Sequence, residues 1–159
     1  MSQIHKEVKK RSGLSSFEAS QIKRDWYLSY RKQYECRFMN DDIYKMFFNP
    51  IIDEIMKKDL IYMLFYDDNN VFIGWLAFEF QDVIISIPGD TPSKEIKYKG
   101  TTLHYLYVKK KDREKMEPYL IEILNKAKSE NKIQCTFLSY FIKKLMQNDV
   151  IFNPYLRYF

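Results

Sequence analysis

The chain has 159 residues and a net charge of +5, and apolar residues make up 46% of it, aromatic residues 17%. This composition supplies enough apolar side chains for one folded core and excludes an intrinsically disordered chain. The lysines are spread along the sequence instead of forming one stripe. A solvated surface therefore explains the charge better than a nucleic-acid site does.

Metal and membrane chemistry are both disfavoured by the residue types present. The two cysteines, Cys36 and Cys135, match no CxxC or Cys/His spacing, and the chain has only two histidines. No stretch approaches the ~18 consecutive apolar residues that span a bilayer, and the N-terminus has no apolar signal core. We expect reduced thiols, no metal site, no membrane partner and no secretion signal.

The N-terminal part divides into an arm and a first helix. Residues 1–14 are polar and basic, and we interpret them as an arm outside the domain 15–159, either frayed or ordered on a partner. Ser15 and Ser16 both offer a helix N-cap, and Glu18 follows close behind, where its charge favours the helix dipole. This pattern predicts a helix that runs to about Tyr34.

The next segments predict a second helix and a β-hairpin. The helix begins near residue 40, and Pro50 is expected to kink it or split it in two. Residues 60–66 are apolar at every position, which is typical of a strand buried on both faces. The Asp-Asp-Asn-Asn turn at 67–70 then leads into a second strand over 71–80.

The C-terminal part predicts alternating strands and helices. Residues 81–100 begin with a possible short strand and continue as a loop or hairpin excursion. The further predicted elements are a strand at 103–108, a helix at 118–129, a strand at 133–137, a helix at 139–147 and a strand at 150–152. The order predicts an α+β (or α/β) single domain, with a mixed sheet flanked by helices.

Several strings resemble the GNAT superfamily, the Gcn5-related N-acetyltransferases. They are Ile73-Gly74-Trp75 in the hairpin and Leu103–Val108 followed by a basic loop and a helix. The strings at 25–31, 103–108 and 152–156 are more specifically similar to small GNAT-like proteins of tailed bacteriophages. The resemblance implies a mainly antiparallel mixed sheet and a location in the host cytoplasm or a virion.

In this family the loop after the strand reads Gln/Arg-x-x-Gly-x-Gly/Ala, and its N–H groups hold the acetyl-CoA pyrophosphate. Aligned on Arg113, the glycine positions carry Met116 and Pro118, and proline has no N–H to donate. The basic side chains of the loop either recover some affinity or form a solvated turn. The degenerate cofactor contacts implied by the resemblance are Tyr107, Val108, Lys110, Arg113 and Lys115.

The resemblance also implies positions for acid and base groups. The family often uses a tyrosine on the penultimate helix as general acid, and that place falls near Leu145, with Tyr140 a turn or more early. Glu79 and His104 are the candidates for a general base, since a carboxylate or imidazole there could reach an amine. Their alternative roles are a solvent-facing strand residue and a hydrogen-bonded core or edge histidine.

Both chain ends suggest contacts with other proteins. The candidate interface residues are Lys9, Lys10 and Arg11 in the arm, and Tyr155, Tyr158 and Phe159 in the aromatic tail. The tail could equally fold onto its own domain as the last strand.

The absence of glycine at the two aligned loop positions favours a non-catalytic GNAT-fold protein that acts through protein–protein contacts. We expect it to be a homo- or hetero-oligomer in a bacteriophage particle or its assembly. Such a protein needs no cofactor. The alternative is an active N-acetyltransferase that uses acetyl-CoA with an atypical pyrophosphate loop.

Overall fold

The computed structural model describes residues 3–80, 83–87, 94–130, 132–146, 151–153 and 157. The strands are β1 (His5–Lys10), β2 (Ile61–Tyr66), β3 (Phe72–Phe80), β4 (Val83–Ile87), β5 (Lys94–Tyr98), β6 (Gly100–Val108), β7 (Lys132–Cys135) and β8 (Ile151–Phe152). The helices are α1 (Ser16–Tyr30), α2 (Asp41–Lys57), α3 (Arg113–Glu130) and α4 (Tyr140–Leu145).

Six strands form a mixed sheet in the order β1-β2-β3-β6-β7-β8. The pairs β1–β2, β2–β3 and β3–β6 are antiparallel, whereas β6–β7 and β7–β8 are parallel. The α3 crossover joins the parallel strands β6 and β7, as the sequence predicts. The predicted α+β architecture, a mainly antiparallel sheet flanked by helices, is therefore confirmed.

Part of the expected N-terminal arm belongs to this sheet. Residues His5–Lys10 form β1, which pairs with β2 from His5 opposite Tyr66 to Lys10 opposite Ile61. The polar sequence suits this position because β1 is an edge strand with one neighbour and mostly exposed side chains. Ser15 then caps α1 in a capping box with Glu18, as the N-cap signal predicts.

Helix α2 is continuous through Pro50 and is not split there. Its buried residues Tyr44, Phe48, Ile52 and Ile55 recur at helical spacing and hold the helix on the sheet.

Helix α3 begins at Arg113, five residues before the predicted start. Met116, Leu120 and Leu124 are spaced by four and buried on one face, so packing extends the helix into the basic segment. Pro118 lies inside the helix, where it removes one N–H without ending the helix. The sequence prediction was wrong here, since it treated proline as the helix start.

The two faces of the sheet bury different side chains. The face under α1 and α2 is mainly aromatic, with Trp26 stacked on Tyr105 at a ring-centroid distance of 5.5 Å and packed edge-on against Phe137. The face under α3 and α4 is mainly aliphatic and includes Leu106 and Ile142. A separate hairpin, β4–β5, lies in the segment where a loop or hairpin excursion is expected.

Candidate functional site

The strands β6 and β7 pair only over their first four residues, to Leu103 opposite Cys135. Strand β6 then continues to Val108, whereas the chain after β7 turns towards α4. At the same level the register of β3 and β6 shifts, since Ala77 faces Tyr105 and the next residue of β3 faces Leu103. The extra residue of this β-bulge is His104, and bulges of this kind re-aim a side chain.

The bulge brings the two predicted base candidates together. His104 is fully buried, and its Nε2 lies 2.8 Å from Oε1 of Glu79. Its Nδ1 lies 2.9 Å from the Oγ1 of Thr136, directly after β7. The ammonium of Lys58 lies 3.6 Å from the same Glu79 oxygen, and the Glu79 side chain is 25% exposed. Glu79 and Lys58 are thus the members of this group with access to solvent, whereas His104 has none.

The environment fixes the protonation of this pair. Burial lowers the pKa of His104, although the neighbouring Glu79 works in the opposite direction. The hydrogen bond from His104 lowers the pKa of Glu79, with burial opposing it. At neutral pH the pair is therefore a carboxylate and a neutral imidazole. Nε2–H donates to Glu79, and Nδ1 accepts from the Thr136 hydroxyl.

A second set of hydrogen-bonded side chains connects to the backbone of Thr136. The Nε of Arg157 donates to the Thr136 carbonyl at 2.7 Å, and its two terminal nitrogens bond Glu35 at 3.0 and 2.9 Å. The Tyr30 hydroxyl lies 3.1 Å from Arg157 and also bonds Glu35. The polar network, defined as Lys58, Glu79, His104, Thr136, Arg157, Glu35 and Tyr30, runs continuously past the point where β6 and β7 separate.

The Arg113 side chain links the end of β6 to α4. Arg113 donates Nε to the carbonyl of Val108 at 3.2 Å, and its guanidinium lies 5.5 Å from the ring centroid of Phe141. It therefore bridges the end of β6 and α4. Leu106 and Val108 are buried in the same aliphatic cluster as Ile142.

The other loop residues are placed as follows. Tyr107 is half-buried, with its ring 6.4 Å from that of Trp75, and burial raises its pKa. Lys110 is exposed in the turn before α3, and Lys115 is half-buried within α3. Met116 is buried in the core and Pro118 is exposed on α3. Neither lies in the loop, so the alignment that placed them at pyrophosphate glycines does not match the helix boundary.

The predicted general acid has no described link to the polar network. Tyr140 is the first residue of α4 and is 60% exposed, and its backbone N–H bonds the Gln33 side chain. Leu145, which occupies the position expected for an acid, is buried and apolar.

The candidate interface cations make contacts within the chain. Lys9 lies 2.7 Å from Glu18, Lys10 lies 3.8 Å from Asp59, and Arg11 donates to the Lys57 carbonyl. The tail residues of the same prediction, Tyr155, Tyr158 and Phe159, lie outside the described residues.

Within the described residues, no three His, Cys, Asp or Glu side chains come together as a metal set. Among those residues there is also no helix with the length and apolarity needed to cross a bilayer.

Sequence reasoning missed five members of the polar network: Lys58, Thr136, Arg157, Glu35 and Tyr30. The one available signal was an arginine inside an aromatic tail, which is compatible with a cation packed on rings. No local pattern predicts that a β-bulge aligns Thr136 with His104.

The comparisons with known proteins give a structural match and no sequence match. No protein-family model matches the chain, and no curated protein matches it in sequence. Among solved structures, it is similar to an aminoglycoside antibiotic 6'-N-acetyltransferase from Acinetobacter baumannii. The identity is 12%, the match covers 91% of this chain and 89% of that chain, and the TM-score is 0.44. A likeness of this size does not assign the chain to that protein's family or activity.

Proposed function

We propose that this chain is a non-catalytic protein of GNAT-like fold that acts through protein–protein contacts in a larger assembly. The resemblance of its local strings to small bacteriophage proteins makes a phage particle or its assembly the setting of this proposal. The single observation that carries the non-catalytic part is the bridge that Arg113 forms from Val108 to Phe141. In this proposal the bridge occupies the space between β6 and α4 that a cofactor would need.

Calorimetric titration with acetyl-CoA tests whether the Arg113 bridge prevents cofactor binding. We expect no binding tighter than about 1 mM, because the described opening is spanned by a side chain and the loop has no glycine. The Arg113→Ala variant should bind acetyl-CoA more tightly than the intact chain if the Arg113 side chain blocks the cofactor. It should bind more weakly if Arg113 is instead a cofactor contact.

The matched control for this titration is Lys111→Ala, an exposed lysine of the same loop. It should leave the result unchanged. A low-micromolar dissociation constant for the intact chain, with acetyl transfer to an amine, would contradict the proposal.

The described surface offers a face for protein contact on α2. Ile43, Met46 and Phe47 lie at i, i+3 and i+4 and are 47%, 76% and 50% exposed. Apolar side chains grouped in this way are typical of contact surfaces. We propose that this α2 face, defined by these three residues, mediates self-association, since a two-fold contact needs only one such surface.

Light scattering coupled to gel filtration measures this contact. Met46→Gln with Phe47→Gln should convert an oligomer into a monomer, because both anchors become polar. The matched control is Phe17→Gln with Phe80→Gln, which makes the same change at exposed phenylalanines elsewhere. A monomeric intact chain at high concentration, or equal behaviour of both double variants, would refute self-association through α2.

A second candidate function is N-acetyl transfer, and the Glu79–His104 pair is the observation that favours it. A partly exposed carboxylate backed by a buried imidazole is an arrangement that can accept a proton from an amine. In that case Glu79→Gln should abolish transfer while the chain stays folded. If the intact chain transfers no acetyl group to any primary amine tested, this second candidate fails.

A further inference from the structure

A groove with a volume of about 250 Å³ lies between α3 and the sheet, on the aliphatic face. Its floor is formed by side chains of β2, β3, β6 and β7, among them Met63, Leu76 and Leu103. Its wall is formed by the second half of α3, through Ile123 and Ala127. We call this site, between these floor and wall residues, the α3 groove.

The lining of the α3 groove is mainly apolar and partly open to solvent. Phe80, the last residue of β3, lines the groove and is 67% exposed, whereas Phe78 packs against the aliphatic cluster. The volume lies just below the ~300–1,000 Å³ of typical small-molecule sites. A helix with its side chains is ~10 Å across, so the groove suits one alkyl chain better than a docked helix.

A buried hydroxyl in the α3 groove lacks a hydrogen-bond partner. Thr101 lines the groove and is 7% exposed, and its Oγ1 has no partner among the described residues. Burying a hydroxyl without a partner is costly, because its bonds to water are lost. Thr101 pairs with Phe80 and with Ile133, so it lies at the end of the groove where β6 and β7 begin. A ligand with an acceptor group at this end satisfies the hydroxyl.

The charged residues that line the α3 groove are two lysines and one glutamate. Lys6 and Lys126 are exposed, and neither has a carboxylate partner in the described part of the chain. Lys126 and the exposed Glu130 are in the last turns of α3, which leads into β7, so both lie towards Thr101. Lys6 is on the edge strand β1, on the other side of the groove. One cation in excess favours an anionic ligand.

We propose that the α3 groove binds a single-chain fatty acid, with its alkyl chain along the floor and its carboxylate at Thr101 and Lys126. The hydroxyl and the ammonium both donate to the carboxylate, and the chain removes apolar side chains from water. This site goes beyond the proposed function. The α2 face is on the opposite side of the sheet, and the Arg113 bridge is at the other end of β6.

Calorimetric titration of the intact chain with hexanoate, heptanoate and octanoate tests the α3 groove. The affinity should rise about fourfold with each added methylene, because each one is buried against the floor. The matched probes 1-octanol and octylammonium have the same chain with a neutral or a cationic head group. Both should bind at least about threefold more weakly than octanoate, since neither has a charge that complements Lys126.

Substitutions at the carboxylate end should change octanoate binding with opposite signs. Lys126→Gln should weaken it about threefold, and Glu130→Gln should tighten it about twofold, while 1-octanol binding stays unchanged in both. Lys6→Gln, on the far side, is the matched control and should change octanoate binding by less than about twofold. Thr101→Val should weaken octanoate binding about threefold but raise the melting temperature, because it removes a hydroxyl that lacks a partner.

Ala127→Phe places a ring in the α3 groove and should reduce the octanoate affinity at least about tenfold. If this variant folds poorly, the changes at Lys126 and Thr101 still test the site, because both keep the shape of the groove.

Four outcomes would overturn the proposal. They are the absence of saturable octanoate binding to the intact chain, equal binding of octylammonium, unchanged binding in a folded Ala127→Phe variant, and a larger effect of Lys6→Gln than of Lys126→Gln. If Phe80→Gln alone breaks up an oligomer in gel filtration, a second copy of the chain covers the groove, and the fatty-acid proposal likewise fails.

Discussion

The two carboxylates of the polar network, Glu79 and Glu35, lie towards its opposite ends and are both ionised at neutral pH, but they depend on different partners. The hydrogen bond from neutral His104 lowers the pKa of Glu79 against the effect of burial. Burial works to raise the pKa of Glu35, and hydrogen bonds from Arg157 and Tyr30 outweigh it. One carboxylate thus has a partner whose pKa is lowered by burial and which is neutral at pH 7, and the other has a partner that stays charged. The two ends should therefore respond differently to mutation and to acid.

The largest effect is expected for His104→Ala. This change leaves a cavity and removes the partner of both Glu79 and Thr136, so the free energy of unfolding should fall by about 3 kcal/mol. Urea unfolding at pH 7.5 measures it. The control is His5→Ala, an exposed histidine of β1, which should change stability by less than about 0.5 kcal/mol. Equal losses in the two variants would contradict the buried role of His104.

A smaller loss is expected for Glu35→Gln, at about 2 kcal/mol in the free energy of unfolding. The charge of Arg157 stays buried without its carboxylate, but the exposure of Glu35 lets water compensate in part. Glu54→Gln, on the exposed face of α2, is the matched control and should cost less than about 0.5 kcal/mol. A cost for Glu35→Gln as small as this control would mean that Arg157 does not depend on the pair.

The contributions of His104 and Glu35 to stability should depend differently on pH. His104 has a folded-state pKa below its ordinary value of 6.5. Its neutral form therefore contributes to the free energy of unfolding, and this contribution is fully present above pH 6.5. This stability is lost as the pH falls below 6.5 towards the folded-state pKa. The Glu35 contribution is lost only below its ordinary value of 4.5.

Unfolding in urea at pH 7.5, 6.0 and 5.0 would show this difference. The intact chain should lose stability between the first and the last condition, and His104→Gln should lose less over the same interval. Glu35→Gln should keep the slope of the intact chain in this range. A slope that is unchanged by His104→Gln would assign the acid sensitivity to another group.

The smallest effect is expected for Lys58→Ala. The Lys58 ammonium is 3.6 Å from Glu79, and both side chains are about a quarter exposed, so the loss should stay within about 0.5 kcal/mol. Because Lys58 helps to lower the pKa of Glu79, a carboxylate titration followed by NMR should move upwards in the variant. A downward shift would contradict this interaction.

Much of the sheet could be predicted because its strands are strongly marked in sequence. The apolar run that includes Leu64, the turn that follows it and the strand before the basic loop set the order of β2, β3 and β6. β1 could not be predicted, because its polar sequence lacks the apolar alternation of a buried strand. The start of α3 was missed because the buried contact of Met116 outweighs the proline signal at Pro118.

The candidate site was only partly predictable. Glu79 and His104 were named from residue type and strand position, and the structure places them in hydrogen-bond contact. Their partner Thr136 comes from a segment 32 residues beyond His104, and its alignment depends on a β-bulge that no local pattern encodes. Arg157 was seen only as part of an aromatic tail. Its bond to Glu35 joins residues 122 positions apart.

The charged sequence of β1 has a consequence for aggregation. Strand order places β1 at one edge of the sheet and the two-residue β8 at the other. An exposed edge can recruit a strand from another molecule, and long side chains with charge oppose this pairing. Four of the six residues of β1 are of this kind: Lys6, Glu7, Lys9 and Lys10. The β1 edge is thus a poor template for fibril growth, and an assembly of this protein should use side-chain surfaces rather than a strand added beside β1.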